Sequence, residues 1–454
     1  MDGKKTYYFL GIGGIGMSAI ARYFKTMGHE VSGYDRTCTP LTQALESEGI
    51  GVHYEVDTDK IPANPDMVIY TPAIPDDNEE LVFVRNRNFP LKKRAEVLGL
   101  LTEGKKCIAV AGSHGKTTTS GLIAHILSNS AIGCSAFLGG ISKNFGSNFV
   151  INHKSKYVVV EADEYDRSFL QLHPHFSVIT SADPDHLDIY GTHENLLAAF
   201  SQFANQTQHG GKIFLKDTLC FEIDGEIARA TYSFNNVESA YYAWNVRSSR
   251  GHYYFDLHTP ERIFFDMELV GSPLYNIENA VAACAVALSC GVSEEELRSG
   301  LRSFTGIRRR FDYHINTPNL VFIDDYAHHP HEIETCITSI KQLYPGKRIV
   351  GVFQPHLYTR TANFANEFAQ SLMPLDEIVL LPIYPAREKP IPGVTSHTIL
   401  HKIDKMSKYL TTKELLPELL VALCPEVLVT LGAGDIDALV PVIEKEFKEQ
   451  FEIK

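Results

Sequence analysis

Three observations predict an α/β chain built from three parallel-sheet domains. Gly11-Ile12-Gly13-Gly14-Ile15-Gly16 lies between a short apolar run, Tyr7 to Leu10, and a segment of helical spacing that continues to about Met27. Gly112-Ser113-His114-Gly115-Lys116-Thr117 likewise separates the apolar run Cys107 to Ala111 from a helix-spaced segment, Thr118 to Leu127. In the last third, apolar runs of strand length alternate with helical segments, and each run ends in polar residues. Glycine turns between strand and helix, and strands joined through crossover helices, belong to doubly wound α/β folds. The expected organisation is a Rossmann-like domain over 1–103, a P-loop ATPase-like domain over 104–311 and a second Rossmann-like domain over 312–454. A chain of 454 residues has room for about three domains of usual size.

In the first domain the turn after the first strand reads G-x-G-x-x-G. A second strand, Glu30 to Tyr34, ends at an acid, Asp35, about 20 residues on. Such glycines let the backbone approach a pyrophosphate, so Gly13, Gly14, Ile15 and Gly16 are expected to hold a diphosphate and Asp35 to bond a ribose or base. The motif specifies a diphosphate nucleotide without saying which. A third strand, Asp66 to Tyr70, ends in Thr71-Pro72-Ala73-Ile74-Pro75. Ligands of open α/β sheets sit at that carboxyl edge, which makes Thr71 and Ala73 candidates; a simple proline turn is the alternative.

In the central domain, strand, glycine loop, lysine, hydroxyl and helix form the layout of a nucleotide-phosphate cradle. The amides from Gly112 to Thr118 and the helix N-terminus point at anions, Lys116 reaches the terminal phosphates, and the Thr117 hydroxyl holds magnesium. The usual pattern has a glycine where this chain has Val110, so the loop is the shorter G-x-x-G-K-T, and an ordinary glycine turn competes with the cradle. Tyr157 to Val160 runs straight into Glu161-Ala162-Asp163-Glu164. An acid at the tip of a buried strand beside a phosphate loop suits a magnesium ligand, against the alternative of a solvated acidic loop. Ser177 to Thr180 leads to Asp183-Pro184-Asp185-His186-Leu187-Asp188, where His186 is either a second metal position or structural. Ser201 to Gly251 reads as a small β insertion, and Tyr275 to Ala280 opens an Ala-rich helix. Arg308, Arg309 and Arg310 form either a solvated face or a bidentate grip on phosphates.

The third domain has strands at Leu320 to Ile323, Arg348 to Phe353, Glu377 to Leu381 and Val427 to Leu431. They end in Asp324-Asp325-Tyr326-Ala327-His328-His329-Pro330, in Gln354-Pro355-His356 and in Gly432-Ala433-Gly434-Asp435. Polar groups at several strand tips of one sheet make a substrate surface. His328, His329 and His331 lack zinc spacing, which argues against a zinc site. The tail from Ile436 is expected to be a charged amphipathic helix packed on the surface.

Composition bounds the rest. A hydrophobic content of 44%, a charged content of 21% and a net charge of −13 describe a soluble globular protein and argue against a nucleic-acid backbone as main partner. Eight scattered cysteines with no C-x-x-C indicate neither a zinc ribbon nor a disulfide framework, and favour the cytoplasm. No stretch reaches about 18 uninterrupted apolar residues, so no membrane insertion is expected. The lysines near the start are the only likeness to a signal peptide.

Taken together the motifs resemble the Mur ligases of peptidoglycan synthesis from end to end. The matching segments are GIGGIGMS (Gly11 to Ser18), GSHGKTTT (Gly112 to Thr119), EADE (Glu161 to Glu164), DHLDIYG (Asp185 to Gly191), RRF (Arg309 to Phe311), DDYAHHP (Asp324 to Pro330), QPHLYTRT (Gln354 to Thr361) and GAGDI (Gly432 to Ile436). The resemblance implies ATP-dependent amide synthesis: the lactyl carboxylate of UDP-N-acetylmuramate attacks the γ-phosphate of ATP, and the amine of L-alanine attacks the resulting acyl phosphate. Such chemistry needs charge neutralised and water excluded. By similarity Thr117 and Glu161 hold one Mg2+ and His186 a second, with Lys116, Glu161 and His186 as the catalytic set. Gly112, Ser113, His114, Gly115, Lys116, Thr117 and Thr118 surround the phosphates, Asn279 faces adenine, and Arg310 and Asp325 contact ATP. Tyr326, His356 and Arg360 line the amino-acid site with His328 nearby, while Gly13 to Gly16 hold the UDP-sugar diphosphate. The partners implied are these small molecules alone, in a monomer or weak homodimer.

Three departures carry information. Tyr275 stands where the family's H-N-x-x-N begins with histidine, and Leu357 where many members carry arginine. No lysine occurs between His186 and Lys212, where the later ligases often carry a carbamylated one, which supports the alanine-adding branch. The rivals are a peptide-adding recycling ligase of the same family, a nicotinamide oxidoreductase read from the first glycines alone, and a non-catalytic nucleotide-binding regulator.

Overall fold

The computed structural model describes residues 3–184, 187–249, 252–386 and 388–451. The chain forms two compact units, one running to Gly271 with Asn276–Thr305 added, the other comprising Ser272–Tyr275 and the chain from Gly306 onward. Three sheets organise them.

The first sheet contains β1 (Thr6–Leu10), β2 (Glu30–Tyr34), β3 (Gly51–His53), β4 (Met67–Tyr70) and β5 (Leu91–Lys93) in the order β3-β2-β1-β4-β5. Every pairing is parallel. Strand order reverses between β1 and β4, and the crevice beyond the carboxyl ends of such a pair is where doubly wound sheets bind ligands. Gly11 follows the tip of β1 and Thr71 follows the tip of β4, so the two stretches singled out in sequence flank this crevice.

The second sheet contains β6 (Lys106–Ala111), β7 (Ser135–Ser142), β8 (Ser147–Val150), β9 (Tyr157–Glu161), β10 (Phe176–Ile179), β11 (Lys212–Lys216), β12 (Ala228–Ser233), β13 (Tyr241–Ser249), β14 (His252–His258) and β15 (Ile263–Val270). Their order is β15-β14-β13-β12-β11-β10-β6-β9-β7-β8. Strand β6 lies between β9 and β10, parallel to both, which puts the tip residue Glu161 and the segment after Ile179 on either side of the phosphate loop. The small insertion expected between Ser201 and Gly251 is instead a continuation of this sheet. A helix, His193–Asn205, capped by Thr192, leads into β11 and β12, both parallel, before β13 to β15 turn antiparallel. Backbone irregularities interrupt the alternation there: Asn245 and Asp266 have φ of 50° and 53°, and the ladders slip register beside them.

These two sheets share one body because the β7–β8 hairpin docks on helix Ile15–Thr26. Tyr23, Phe137 and Phe149 form an aromatic triad with ring centroids 5.3–6.1 Å apart. Burying rings of this size contributes about 1.5–3 kcal/mol each. Beside them Asn148, fully buried, accepts from Arg22 and donates to the Ile15 carbonyl, while Arg22 reaches Glu48 at 2.7 Å. The contact fixes the hairpin against the start of the helix that follows the first glycine loop.

The third sheet, in the second unit, contains β16 (Asp312–Asn316), β17 (Val321–Asp325), β18 (Ile349–Phe353), β19 (Glu377–Leu380), β20 (Lys408–Leu410) and β21 (Val427–Leu431). The order is β16-β17-β21-β18-β19-β20, with only β16 antiparallel. Helices Pro330–Leu343 and Ala365–Leu372 pack their apolar sides against it, burying Ile333, Ile337, Ile340 and Phe368. The tail is a short 3-10 turn, Asp435–Leu439, followed by helix Val440–Gln450, which buries Val440, Ile443 and Phe447.

Candidate active site

The first glycine loop is drawn tight by its neighbours. Asp35 accepts from the Gly13 amide at 2.8 Å and from the Thr37 amide at 3.1 Å, so the acid expected at a ribose braces the loop. Gly11 has a φ of 86°, and a Cβ there would lie 2.6 Å from Thr71 Cγ2, which seats the Thr71–Pro75 loop on the glycine turn. No side chain caps the helix that starts at Ile15, so its first-turn amides remain for an anion.

The phosphate loop is a left-handed turn entering a helix. Gly112 and Gly115 have φ of 136° and 81°, conformations that a side chain would strain. The segment after β10 staples one flank. The His114 amide donates to Ser181 Oγ at 2.7 Å, Ser113 Oγ donates to the Asp183 carbonyl at 2.8 Å, and Thr180 Oγ1 donates to the His114 carbonyl. On the other flank a Cβ on Gly115 would meet Asn279 Oδ1 at 2.8 Å, and that oxygen accepts from Thr119 at 3.2 Å. Asn279 therefore sits at the loop itself, its amide nitrogen donating to Asn276 at 2.9 Å. Thr117 is buried at the first turn of the helix.

Lys116 folds back over its own loop. Its ammonium donates to the Gly112 carbonyl at 2.6 Å and to Glu164 at 2.9 Å. Burial works against the charge, but Glu164, Asp163 and Glu161 outweigh it and hold the ammonium's pKa above its ordinary value. The Glu164 carbonyl in turn accepts from the Tyr190 hydroxyl at 2.6 Å, and burial, aided by Glu164, pushes that phenol up to about 12.

A cleft of about 240 Å³ joins the two sheets' edges, lined by Gly14, Gly16, Thr71, Ala73, Arg94 and Glu161 among others. The two glycine-loop residues and the strand-tip acid, read from segments far apart in sequence, thus face one space. Glu161 lies against β7: a Cβ on Gly139 would sit 2.2 Å from its Oε1. Arg94 opens helix Arg94–Thr102 directly after β5 and donates to Asp163 Oδ2 at 3.3 Å.

Among the described residues no group of three His, Cys, Asp or Glu side chains forms a metal cage. The donors beside the phosphate loop are a hydroxyl and carboxylates, hard oxygens that suit magnesium. That ion keeps waters and substrate phosphates in its shell and does not need a full protein cage. The acids gathered around Lys116 outnumber it, which fits a divalent cation arriving with the nucleotide. His186 lies outside the described residues.

In the second unit, Asp325 is buried at the tip of β17, accepting from the amides of Phe311 at 2.7 Å and Ala327 at 2.8 Å. Burial raises its pKa to about 6, with Arg310 and the two amides opposing. Arg309, at a φ of 63°, donates to the Gly432 carbonyl and pairs with Asp324 at 3.4 Å, so it ties together its own sheet edge. Both guanidiniums, Arg309 and Arg310, lie 5.0 Å from the centroid of the Tyr326 ring. Tyr275 belongs to this unit; burial first, then the Asp325 charge, raises its phenol, with Arg310 opposing.

The amino-acid candidates also converge. His328 lies edge-on to Tyr326 and to His356, centroids 5.2 and 6.0 Å away. His356 stacks on Tyr384 at 5.7 Å. Burial lowers the pKa of His328, Glu332 opposing and Arg360 assisting. Nη1 of Arg360 is buried with no hydrogen-bond partner among the described residues. Leu357 has a φ of 71° and donates its amide to the Tyr384 carbonyl at 3.0 Å, while Glu388 holds Thr359. No charged group stands at the position where arginine is common.

Sequence reading missed Arg94, Gly139, Glu164's partnership with Lys116, and Tyr384. Arg94 had a usable signal: it follows the tip of a strand in the first sheet, the edge where such sheets place ligands. The other three depend on neighbours that only the folded sheet order brings together.

Comparison with known proteins agrees with this architecture. The profile described as Mur ligase family, catalytic domain matches residues 6–106, that of the Mur ligase middle domain 110–287, and that of the Mur ligase, glutamate ligase domain 309–434. The chain is 49% identical over 444 residues to the UDP-N-acetylmuramate–L-alanine ligase of Porphyromonas gingivalis, covering 96% of this chain and 97% of that protein. It is 45% identical to the protein of the same name from Flavobacterium johnsoniae, covering 97% and 98%. Among solved structures, the UDP-N-acetylmuramate-alanine ligase of Thermotoga maritima superposes with a TM-score of 0.84 at 28% identity, covering 98% of this chain and 99% of that one. A murein peptide ligase of Psychrobacter arcticus shares the fold, with a TM-score of 0.71 at 20% identity and coverage of 97% and 98%. With all three profiles matched in order and near-complete overlap with its relatives, the chain belongs to the Mur ligase family.

Proposed function

We propose that this protein is the ligase that joins L-alanine to the lactyl carboxylate of UDP-N-acetylmuramate at the expense of ATP, releasing ADP and phosphate in peptidoglycan synthesis. The observation that carries the reading is the cleft in which the first glycine loop and Glu161 meet, because a UDP-sugar seated on that loop presents its far end to the phosphate-transfer apparatus. The names of the near-full-length relatives supply the substrates.

In this reading residues 1–103 form the UDP-sugar domain, 104–311 the ATP domain and 312–454 the amino-acid domain. Gly13 to Gly16, Asp35, Thr71 and Ala73 bind the UDP-sugar, and Asp35 acts by holding the Gly13 amide in place. Gly112 to Thr118 cradle the ATP phosphates, and Lys116 exchanges Glu164 for the γ-phosphate as the lactyl carboxylate attacks it. Asn279, Arg310 and Asp325 complete the nucleotide site. Thr117, Glu161 and His186 hold Mg2+, which neutralises the charge that develops on the transferring phosphoryl group. Tyr326, His328, His356 and Arg360 bind L-alanine, the Arg360 guanidinium serving its carboxylate. Orienting the amine toward the acyl phosphate carbonyl is the remaining task, and positioning alone is worth several orders of magnitude. The protein acts in the cytoplasm on small molecules as a monomer or weak homodimer, with no nucleic-acid or membrane partner.

The test is phosphate release from ATP and magnesium with UDP-N-acetylmuramate, adding L-alanine, glycine, L-serine or a peptide in turn. Release with L-alanine far above the others is expected. Release with the peptide alone would move the chain to the peptide-adding ligases, and no release under any condition would overturn the enzyme reading.

A further inference from the structure

The cleft between the first glycine loop and Glu161 contains one basic side chain among its lining residues, Arg94. Its position is built in. It begins a helix whose entry is fixed by the Lys93 amide donating to Glu96 at 2.6 Å. Its guanidinium also lies against Gly16: a Cβ there would be 2.7 Å from Nη1 and 3.1 Å from Cδ. The third glycine of the motif ordinarily serves close packing of helix on strand. Here its bare Cα also makes room for a guanidinium. The opposite side of Arg94 faces Asp163, two residues beyond Glu161, through a single contact of 3.3 Å.

We propose that Arg94 binds and aims the lactyl carboxylate of the UDP-sugar, with Asp163 occupying that place in the free enzyme. The inference rests on the function proposed above and adds a residue to it. A guanidinium that already holds a carboxylate has the fork geometry to take another. The existing contact is single, long and open to solvent, with 18% and 37% of the two side chains exposed, so a bidentate substrate carboxylate displaces it readily. The diphosphate has its own recognition in the glycine loop and the uncapped helix. Arg94 lies between that loop and the strand-tip acids, the interval that the sugar spans on its way to the phosphate loop. Gripping the carboxylate there fixes the direction from which it attacks.

Calorimetric binding of two ligands to the full-length protein separates the possibilities. UDP-N-acetylmuramate carries the carboxylate; UDP-N-acetylglucosamine has the same diphosphate and no carboxylate. Arg94→Gln is expected to weaken the first by about 10- to 100-fold, the range for a lost charged hydrogen-bonded pair, and to leave the second within about twofold. In turnover its KM for the UDP-sugar rises and its kcat falls, with KM for ATP and L-alanine unchanged, and Arg94→Lys recovers part of the loss. Asp163→Asn keeps the guanidinium and removes its resting partner, so it binds UDP-N-acetylmuramate at least as tightly as the parent. Equal weakening for both sugars would assign Arg94 to the diphosphate and overturn the proposal. No weakening for either would also overturn it, as would an Asp163→Asn defect matching that of Arg94→Gln, which would mark a merely structural pair. Absence of alanine-dependent turnover in the parent enzyme would instead overturn the proposed function, and the binding contrast is read independently of it.

Discussion

Gly139→Ala tests the placement of Glu161 without altering a polar group. Gly139 lies within β7, outside the left-handed region, so its backbone accepts alanine. The new methyl would sit 2.2 Å from one Glu161 carboxylate oxygen and 2.3 Å from the other. Ordinary contact begins at 3.4 Å, so the carboxylate must retreat by about 1.2 Å. A displacement of about 1 Å in a reacting constellation costs about 100-fold in rate. The atoms that yield are the far end of a flexible side chain, and alanine is the better strand residue, so stability should change by less than about 1 kcal/mol. Alanine-dependent phosphate release at saturating substrates reads the rate, and thermal unfolding reads the fold. Raising magnesium should recover part of the loss, because the displaced group is a metal ligand in the proposed function. A kcat within about threefold of the parent would refute the placement. So would a large loss indifferent to magnesium, which would mean that the methyl merely obstructs the cleft.

Lys116→Ala should abolish phosphate release and leave UDP-sugar binding intact by calorimetry; wild-type-like turnover would remove ATP from this loop. Glu80 is fully buried in the first domain, where it accepts from the Tyr8 hydroxyl and the Asp57 amide and pairs with His53 at 2.9 Å. Glu80→Ala strands those partners and should cost about 3–5 kcal/mol in urea unfolding, whereas a loss below about 1 kcal/mol would contradict the buried network. Asp325 keeps its proton up to about pH 6 when folded but releases it near 3.8 when unfolded. The folded state therefore binds more protons between those values, and its stability falls as pH rises through that window, by up to about 3 kcal/mol. Asp325→Asn should remove that decline in a series of melting temperatures, and an unchanged slope would show that the carboxyl is not held protonated. His328 has the opposite sign, its contribution being lost as pH falls below 6.5, so parent and variant are compared at each pH.

The parts of the fold legible in sequence were those where backbone chemistry leaves a local mark. Both glycine loops lie between the strand and helix expected of them, and Glu161 is the last residue of its strand. What escaped reading has specific causes. Strand β5 is three residues long and reads Leu-Lys-Lys, with no alternation to reveal it, so nothing local marks Arg94 as a strand-tip residue. Its partner lies 69 residues away, a pairing that sheet order alone creates. The region after Ser201 alternates poorly because its sheet edge leaves Trp244 and Phe265 half exposed and breaks register at Asn245 and Asp266. Arg309 and Arg310 are chemically identical neighbours. Both lie over Tyr326, and the left-handed backbone at Arg309 lets it also bond the Gly432 carbonyl at the edge of its own sheet, an arrangement with no counterpart in composition.

In the proposed function, the segment after Glu161 would let a site for two polyanions exist before either arrives. Asp163 faces Arg94, Glu164 faces Lys116 and Asp166 faces Lys93 at 2.9 Å, so three cations find carboxylates within four consecutive residues. The sharp path that permits this includes Asp166 and Arg167, both with φ above 50°. The consequence is clearest at Lys116, whose side chain is 15% exposed against a fully buried partner. Taking an ammonium out of water costs several kcal/mol, and here that cost is met when the protein folds. A γ-phosphate entering the loop in the proposed function would let Lys116 exchange one anion for another and shed little water, so its attraction would act in a site already depleted of solvent. The displaced Glu164, with Glu161 and Asp163 close by, then leaves an excess of negative charge. In the proposed function a divalent cation entering with ATP would balance that excess, and nucleotide binding would be coupled to metal binding through Lys116, Glu161, Asp163 and Glu164.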